Sequence, residues 1–118
     1  MKANENKNPA QCLRDIVNNI DAIEALTTEL DRAAFTRDRK TVYAVVRALE
    51  NISEASRRLP AELTGRRPEI DWVAIAAAGN VYRHEYETVD EALIWHTVRH
   101  DLGVLRSVAA AELAGLAF

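Results

Sequence analysis

Apolar residues recur at three- and four-residue spacing along most of this chain. Leu13, Ile16, Val17, Ile20, Ile23 and Leu30 form one series. Val42, Val45, Val46, Leu49, Ile52 and Leu59, with the small Ser56 among them, form a second. At the period of an α-helix this spacing gathers each series into one stripe, which must be buried against another element. Four glycines and three prolines are too few to interrupt helices often. No run alternates apolar and polar residues as a half-buried strand does. The pattern predicts an all-α fold.

The boundaries follow from local chemistry. Asn8 is a suitable N-cap, Pro9 fits the first helical position, and Gln11 stands where a capping box places Glu or Gln. Ala33, Ala34 and Phe35 predict a short helix that plugs one end of a bundle. Pro60 stops the second long helix. Residues 61–70 read as a loop with one helical turn. Asp71 caps a third helix, with Ile70 and Ile75 as a hydrophobic staple and Trp72, Ile75 and Ala76 facing the core. The run Ala76-Ala77-Ala78-Gly79 is low in relief, so another helix can approach closely. A last helix starts at the capping box Thr88-Val89-Asp90-Glu91. It carries Leu93, Ile94, Val98, Leu102, Leu105, Val108 and Leu113 on more than one stripe.

An antiparallel four-helix bundle with a short extra helix satisfies these signals. It forms a single domain over residues 9–118, behind a disordered polar stretch over 1–8. The surplus apolar face predicts a two-fold homodimer. With 118 residues, 48% of them hydrophobic, the chain can fill one core. The single cysteine excludes an internal disulfide and a multi-cysteine zinc site, and Cys12 reads as a small buried hydrophobe. No apolar run approaches the ~18 residues of a membrane span, and the polar start lacks the apolar core of a signal peptide. A soluble, cytoplasmic protein is expected. The net charge of −3 argues against a protein that coats nucleic acid non-specifically, though not against a local basic surface. No glycine-rich phosphate loop and no Gly-x-Ser-x-Gly elbow occurs, which removes nucleotide-fold and serine-nucleophile readings.

The stretch Gly79-Asn80-Val81-Tyr82-Arg83-His84-Glu85-Tyr86-Glu87 concentrates chemistry between two predicted helices. The imidazole of His84 titrates near neutrality and suits general acid–base work. Arg83 suits a phosphate. Asn80 and His84, four apart, share a helix face, as do Tyr82 and Tyr86. The plainer reading is a polar helix end with a buried, hydrogen-bonded histidine. Glu54, beside the second stripe, either orients His84, pairs with an arginine or is solvated. Arg57, Arg58, Arg66 and Arg67 form a basic rim able to grip RNA phosphates, or a solvated face that complements a helix C-terminus. His96 and His100 have zinc-compatible spacing but no third ligand nearby in sequence. No metal and no cofactor is expected.

The order of these signals resembles the HepT-like proteins of the HEPN superfamily, over about residues 11 to 113. The resemblance is carried by Leu13-Arg14-Asp15-Ile16 and by Ile52-Ser53-Glu54-Ala55 in place of that family's Gly-Glu-Ala segment. It continues through Pro68-Glu69-Ile70-Asp71-Trp72, His84-Glu85-Tyr86, Val89-Asp90, Ile94-Trp95 and Asp101-Leu102. It implies an all-helical homodimer with active sites in a cleft at the dimer interface. It implies a metal-independent ribonuclease, the toxin of a type VII-like toxin–antitoxin pair acting on cellular RNA, tRNA included. The implied partner is a minimal nucleotidyltransferase antitoxin that neutralises the toxin by adding AMP to Tyr86. His84 takes the position of the motif histidine and Tyr86 that of the motif tyrosine, with Asn80 and Arg83 as further site residues and Glu54 and Tyr82 in support.

One position departs from the family pattern. Its arginine falls at residue 79, which is glycine here, and no arginine occurs four to seven residues before His84. Arg83 adjoins His84, but helix neighbours point about 100° apart. The alternative is therefore a helical binding module with a degenerate site, serving as partner or substrate of the nucleotidyltransferase. A third reading is a dimeric helical scaffold with neither role.

Overall fold

The computed structural model describes residues 8–85 and 90–116, with the backbone alone over 80–85. The described residues form seven helices and no strand: α1 (Pro9–Thr27), α2 (Arg32–Arg37), α3 (Arg39–Arg57), α4 (Ala61–Gly65), α5 (Trp72–Glu85), α6 (Glu91–His100) and α7 (Leu102–Gly115). The stretch read as a disordered tail lies, apart from Asn8, outside the described residues.

The caps form largely as their chemistry dictates. Asn8 Oδ1 accepts the Gln11 backbone N–H at 2.8 Å, and Pro9 opens α1. The return half of that capping box is absent, because Gln11 Nε2 donates to Asp15 instead. Asp31, Asp38 and Asp90 cap α2, α3 and α6 in the same way. Asp71 accepts the Ala74 N–H at the start of α5. The second long helix, α3, ends at Arg57, shortly before Pro60, which caps α4, the single turn expected in the following loop.

The two predicted stripes supply the core. Leu13, Ile16, Ile20 and Ile23 of α1 are buried, as are Val42, Val45, Val46, Leu49, Ile52 and Ser56 of α3, with Leu59 just beyond. Cys12 is fully buried beside them. Phe35 of α2 is also fully buried and packs on Trp95 of α6, with ring centroids 5.1 Å apart. It closes one end of the bundle, as its place in the sequence predicts.

The predicted last helix is a correction. It is two helices, α6 and α7, that meet at Asp101. The Asp101 N–H still bonds to the Thr97 carbonyl at 3.0 Å, and the Leu105 N–H reaches the Asp101 carbonyl at 3.4 Å. The ladder is stretched rather than abandoned, so the helix bends. The bend lets α6 pack on α2 while α7 packs on α1. Its start is Glu91 with Asp90 as cap, and Thr88 of the expected capping box lies outside the described residues.

Among the long helices, α3 lies between α1 and α5, and α1 also meets α7. Between α5 and α7 runs a groove of about 480 Å³, floored by Leu49 and Ile52 and walled by Ile75, Ala78, Leu102 and Leu105. No described helix is long and apolar enough to cross a membrane. Leu93, expected on a buried stripe, is 61% exposed in the single chain, and Val104 is 51% exposed.

Removing the Phe35 ring empties the α2–α6 junction. Phe35→Ala should cost ~3–5 kcal/mol, read as a lower denaturant midpoint at unchanged slope. A cost below ~1 kcal/mol would show that α2 does not plug the bundle.

Candidate functional site

The site elements are α3 and α5, which share a long contact. At its centre Ser53, 1% exposed, points from α3 at the backbone of α5. Its hydroxyl donates to the Ala76 carbonyl at 3.0 Å and accepts the Gly79 N–H at 3.1 Å. The approach is close enough to forbid a side chain at residue 79. A Cβ built on Gly79 would stand 2.4 Å from Ser53 Oγ and 2.9 Å from Ser53 Cβ. The low relief expected at Ala76–Gly79 is used here to bring two helices together. Gly79 costs roughly 1 kcal/mol of helix propensity against alanine, but a larger residue has no room.

Arg57 lies one turn beyond Ser53 on α3 and reaches the same carbonyl. Its Nη1 donates to Ala76 O at 2.8 Å and lies 3.5 Å from the position a Cβ at residue 79 would take. Its other terminal nitrogen pairs with Glu54, which also holds Arg58 at 2.8 Å. Glu54 is thus the partner of two arginines. Burial alone would raise the Glu54 carboxyl, but hydrogen bonds and charge from Arg57 and Arg58 outweigh it and hold the group below its ordinary value.

The four arginines expected to form one rim instead organise on two carboxylates. Arg57 and Arg58 meet on Glu54. Arg66 and Arg67 converge on Glu112 of α7, at 2.8 Å and 2.7 Å. Glu112 is only 7% exposed, and hydrogen bonds from Arg66 and then Arg67 hold its carboxyl below the ordinary range. Arg67 reaches Glu69 as well, and its carbonyl accepts from Trp72 Nε1 at 3.1 Å. This second cluster ties the α4–α5 connection to α7.

Asn80, Tyr82, Arg83 and His84 lie in the last turns of α5, with Asn80 and His84 one turn apart. Their side chains, and Tyr86 entirely, lie outside the described residues. The structure therefore brings together Ser53, Glu54, Arg57, Arg58 and Gly79, and places the His84 backbone on the same helix as Gly79. His96 and His100 stack at 4.4 Å between ring centroids, and among the described residues no group of three or more His, Cys, Asp or Glu gathers as metal ligands. Ser53 is the participant that sequence reasoning missed. Its signal was a serine in the first position of the segment resembling Gly-Glu-Ala.

Residues 16–111 match the profile of the family described as ribonuclease HepT-like. The chain belongs to the HepT-like ribonuclease family. It is 39% identical to a probable ribonuclease HepT of Thermococcus cleftensis, over 80% of this chain and 86% of that protein. It is 31% identical to a candidate RNase of Methanocaldococcus jannaschii, over 76% and 83% of the two chains. It is 28% identical to one of Caldanaerobacter subterraneus, over 81% and 86%. No solved structure matches the chain. The helical bundle described above is the fold the HepT-like resemblance implies.

Two tests follow from this HepT-like site. Gly79→Ala should destabilise the protein by ~1–3 kcal/mol, because it overpacks the Ser53 contact. In a Ser53→Gly background the same change should become stabilising, as helix propensity dictates. Equal effects in both backgrounds, measured by denaturant unfolding, would contradict the contact. The second test concerns Glu112. Its folded pKa lies below the ordinary 4.5, so its contribution is complete above pH 4.5 and is lost as pH falls below that value. Glu112→Gln should cost ~1–2 kcal/mol at neutral pH, and the gap should close below pH 4.5. A gap that stays constant into acid would refute the ion-pair account.

Proposed function

We propose that this chain is an endoribonuclease that cleaves cellular RNA, tRNA included, without a metal ion, and that it is the toxin of a type VII-like toxin–antitoxin pair. The observation that carries this reading is the 39% identity, over 80% of the chain, to a probable ribonuclease HepT. The placement of the histidine motif on α5, the helix that packs along α3, supports it.

The chemistry is an internal transesterification. The RNA 2′-hydroxyl attacks the adjacent phosphorus, and His84 takes its proton. The bond from phosphorus to the 5′-oxygen breaks, and the proton returns to that oxygen. One fragment ends in a 2′,3′-cyclic phosphate and the other begins with a 5′-hydroxyl. Asn80, one turn before His84, supplies a neutral hydrogen bond to the phosphate, and Arg83 adds charge at the helix end. A cation aimed at the charge that develops on phosphorus is worth ~3–4 kcal/mol, about 10²–10³ in rate.

The same reading places the active cleft in a cytoplasmic homodimer, where the exposed Leu93 and Val104 supply apolar surface for association. A nucleotidyltransferase antitoxin silences the site by transferring AMP to the Tyr86 hydroxyl, with loss of pyrophosphate from ATP. The second reading, a non-catalytic partner or substrate of that transferase, is favoured by Gly79 alone.

Incubation of the purified protein with cellular RNA in EDTA separates the two. The protein should generate cyclic-phosphate ends, and His84→Ala should lower the rate at least ~100-fold. Equal cleavage by both proteins, or none by either at high enzyme, would overturn the ribonuclease reading. After co-expression with a nucleotidyltransferase antitoxin, adenylate should appear by mass spectrometry and vanish in Tyr86→Phe. Adenylate that persists in that variant would overturn the assignment of Tyr86.

A further inference from the structure

We propose that Arg57 is the catalytic cation of this site, delivered from α3 to the patch of α5 where residue 79 has no side chain. The inference rests on the ribonuclease reading and names the group that stabilises charge at the phosphate.

Three observations carry it. First, the Ser53 hydroxyl fills the space beside Gly79, so no cation can grow from that position while the two helices keep their separation. Second, the guanidinium of Arg57 already stands there, with Nη1 3.5 Å from the vacant Cβ position. Ser53 and Arg57, one turn apart on α3, both donate to the Ala76 carbonyl, so one contact excludes a side chain at residue 79 and anchors its replacement. Third, Arg66 and Arg67 are drawn away to Glu112, and of the two arginines that share Glu54 it is Arg57 that also reaches α5, at the Ala76 carbonyl.

The geometry leaves Arg57 fit for a phosphate. Its side chain is 33% exposed, so an RNA strand can reach it. Ala76 and Glu54 engage two of its five N–H donors, which fixes the plane of the fork. A preorganised guanidinium needs little rearrangement when charge develops on the phosphate. Glu54 neutralises one charge of the Arg57–Arg58 pair, so the cluster keeps a net positive charge. Residue 79 and His84 lie on the same helix, five residues or about 7.5 Å of rise apart.

The test compares kcat and KM for wild type, His84→Ala, Arg57→Gln, Arg57→Lys and Arg47→Gln on a labelled RNA. Melting curves accompany each protein. Arg57→Gln loses the charge and leaves a shorter amide donor on the same face of α3. It should lower kcat about 10²–10³-fold, with KM within about threefold and the melting temperature nearly unchanged. Arg57→Lys should recover at least tenfold of that loss, and Arg47→Gln, at an exposed arginine of α3 outside the site, should stay within about threefold of wild type. If Arg57→Gln melts below the assay temperature, Arg57→Lys decides, and a lysine variant as inactive as His84→Ala overturns the proposal. Wild-type kcat in Arg57→Gln, with His84→Ala inactive, overturns it and leaves the ribonuclease reading standing. Absence of cleavage by the wild type at high enzyme overturns both.

Discussion

The Ser53 hydroxyl between α3 and α5 sets the geometry on which the candidate site depends. It accepts from Gly79 N–H and donates to Ala76 C=O, so the two helices meet backbone to side chain with nothing between them. A Cβ at residue 79 would fall 2.4 Å from that hydroxyl. It would also fall 2.9 Å from Ser53 Cβ, which is fixed to the α3 backbone and cannot rotate away, so glycine fits here at a cost in helix propensity. The same contact fixes the separation at which Arg57 reaches Ala76, and it anchors the helix that carries His84.

Charge in this acidic chain is local rather than diffuse. A net charge of −3 over 118 residues argues against a broad phosphate-binding surface. The arginines nearest the site are instead held in place by carboxylates. Glu112, buried on α7, uses Arg66 and Arg67 to fasten the α4–α5 connection. Glu54, more exposed, holds Arg57 and Arg58 at the end of α3. The two clusters differ in consequence. Pairing at a buried carboxylate makes the first a structural tie, whereas partial exposure leaves the second able to meet a ligand.

Much of the fold was legible because its signals are local or periodic. The stripes of α1 and α3, the caps Asn8 and Asp71, the stop at Pro60 and the plug at Phe35 each depend on a few neighbouring residues. The bend at Asp101 was not legible. The apolar period runs through it unbroken, and it arises because α6 and α7 pack on different partners. The site was legible as a list of residues but not as an arrangement. The missing arginine at residue 79 was plain in the sequence. That Ser53 closes the space and Arg57 stands beside it depends on how two helices sit against each other, which no spacing within either helix encodes. Gly79→Arg alone is therefore a poor test of a lost cation, since the new side chain would collide with Ser53.

The central claim is that the cation comes from α3 because Ser53 bars it from α5, and moving it back tests that claim most directly. The variant Ser53→Gly with Gly79→Arg and Arg57→Ala opens the space, places a guanidinium on α5 and removes the one on α3. Its RNA-cleavage rate should return to within about tenfold of wild type, where Arg57→Ala alone is depressed by about 10²–10³. A folded triple variant no more active than Arg57→Ala would contradict the account.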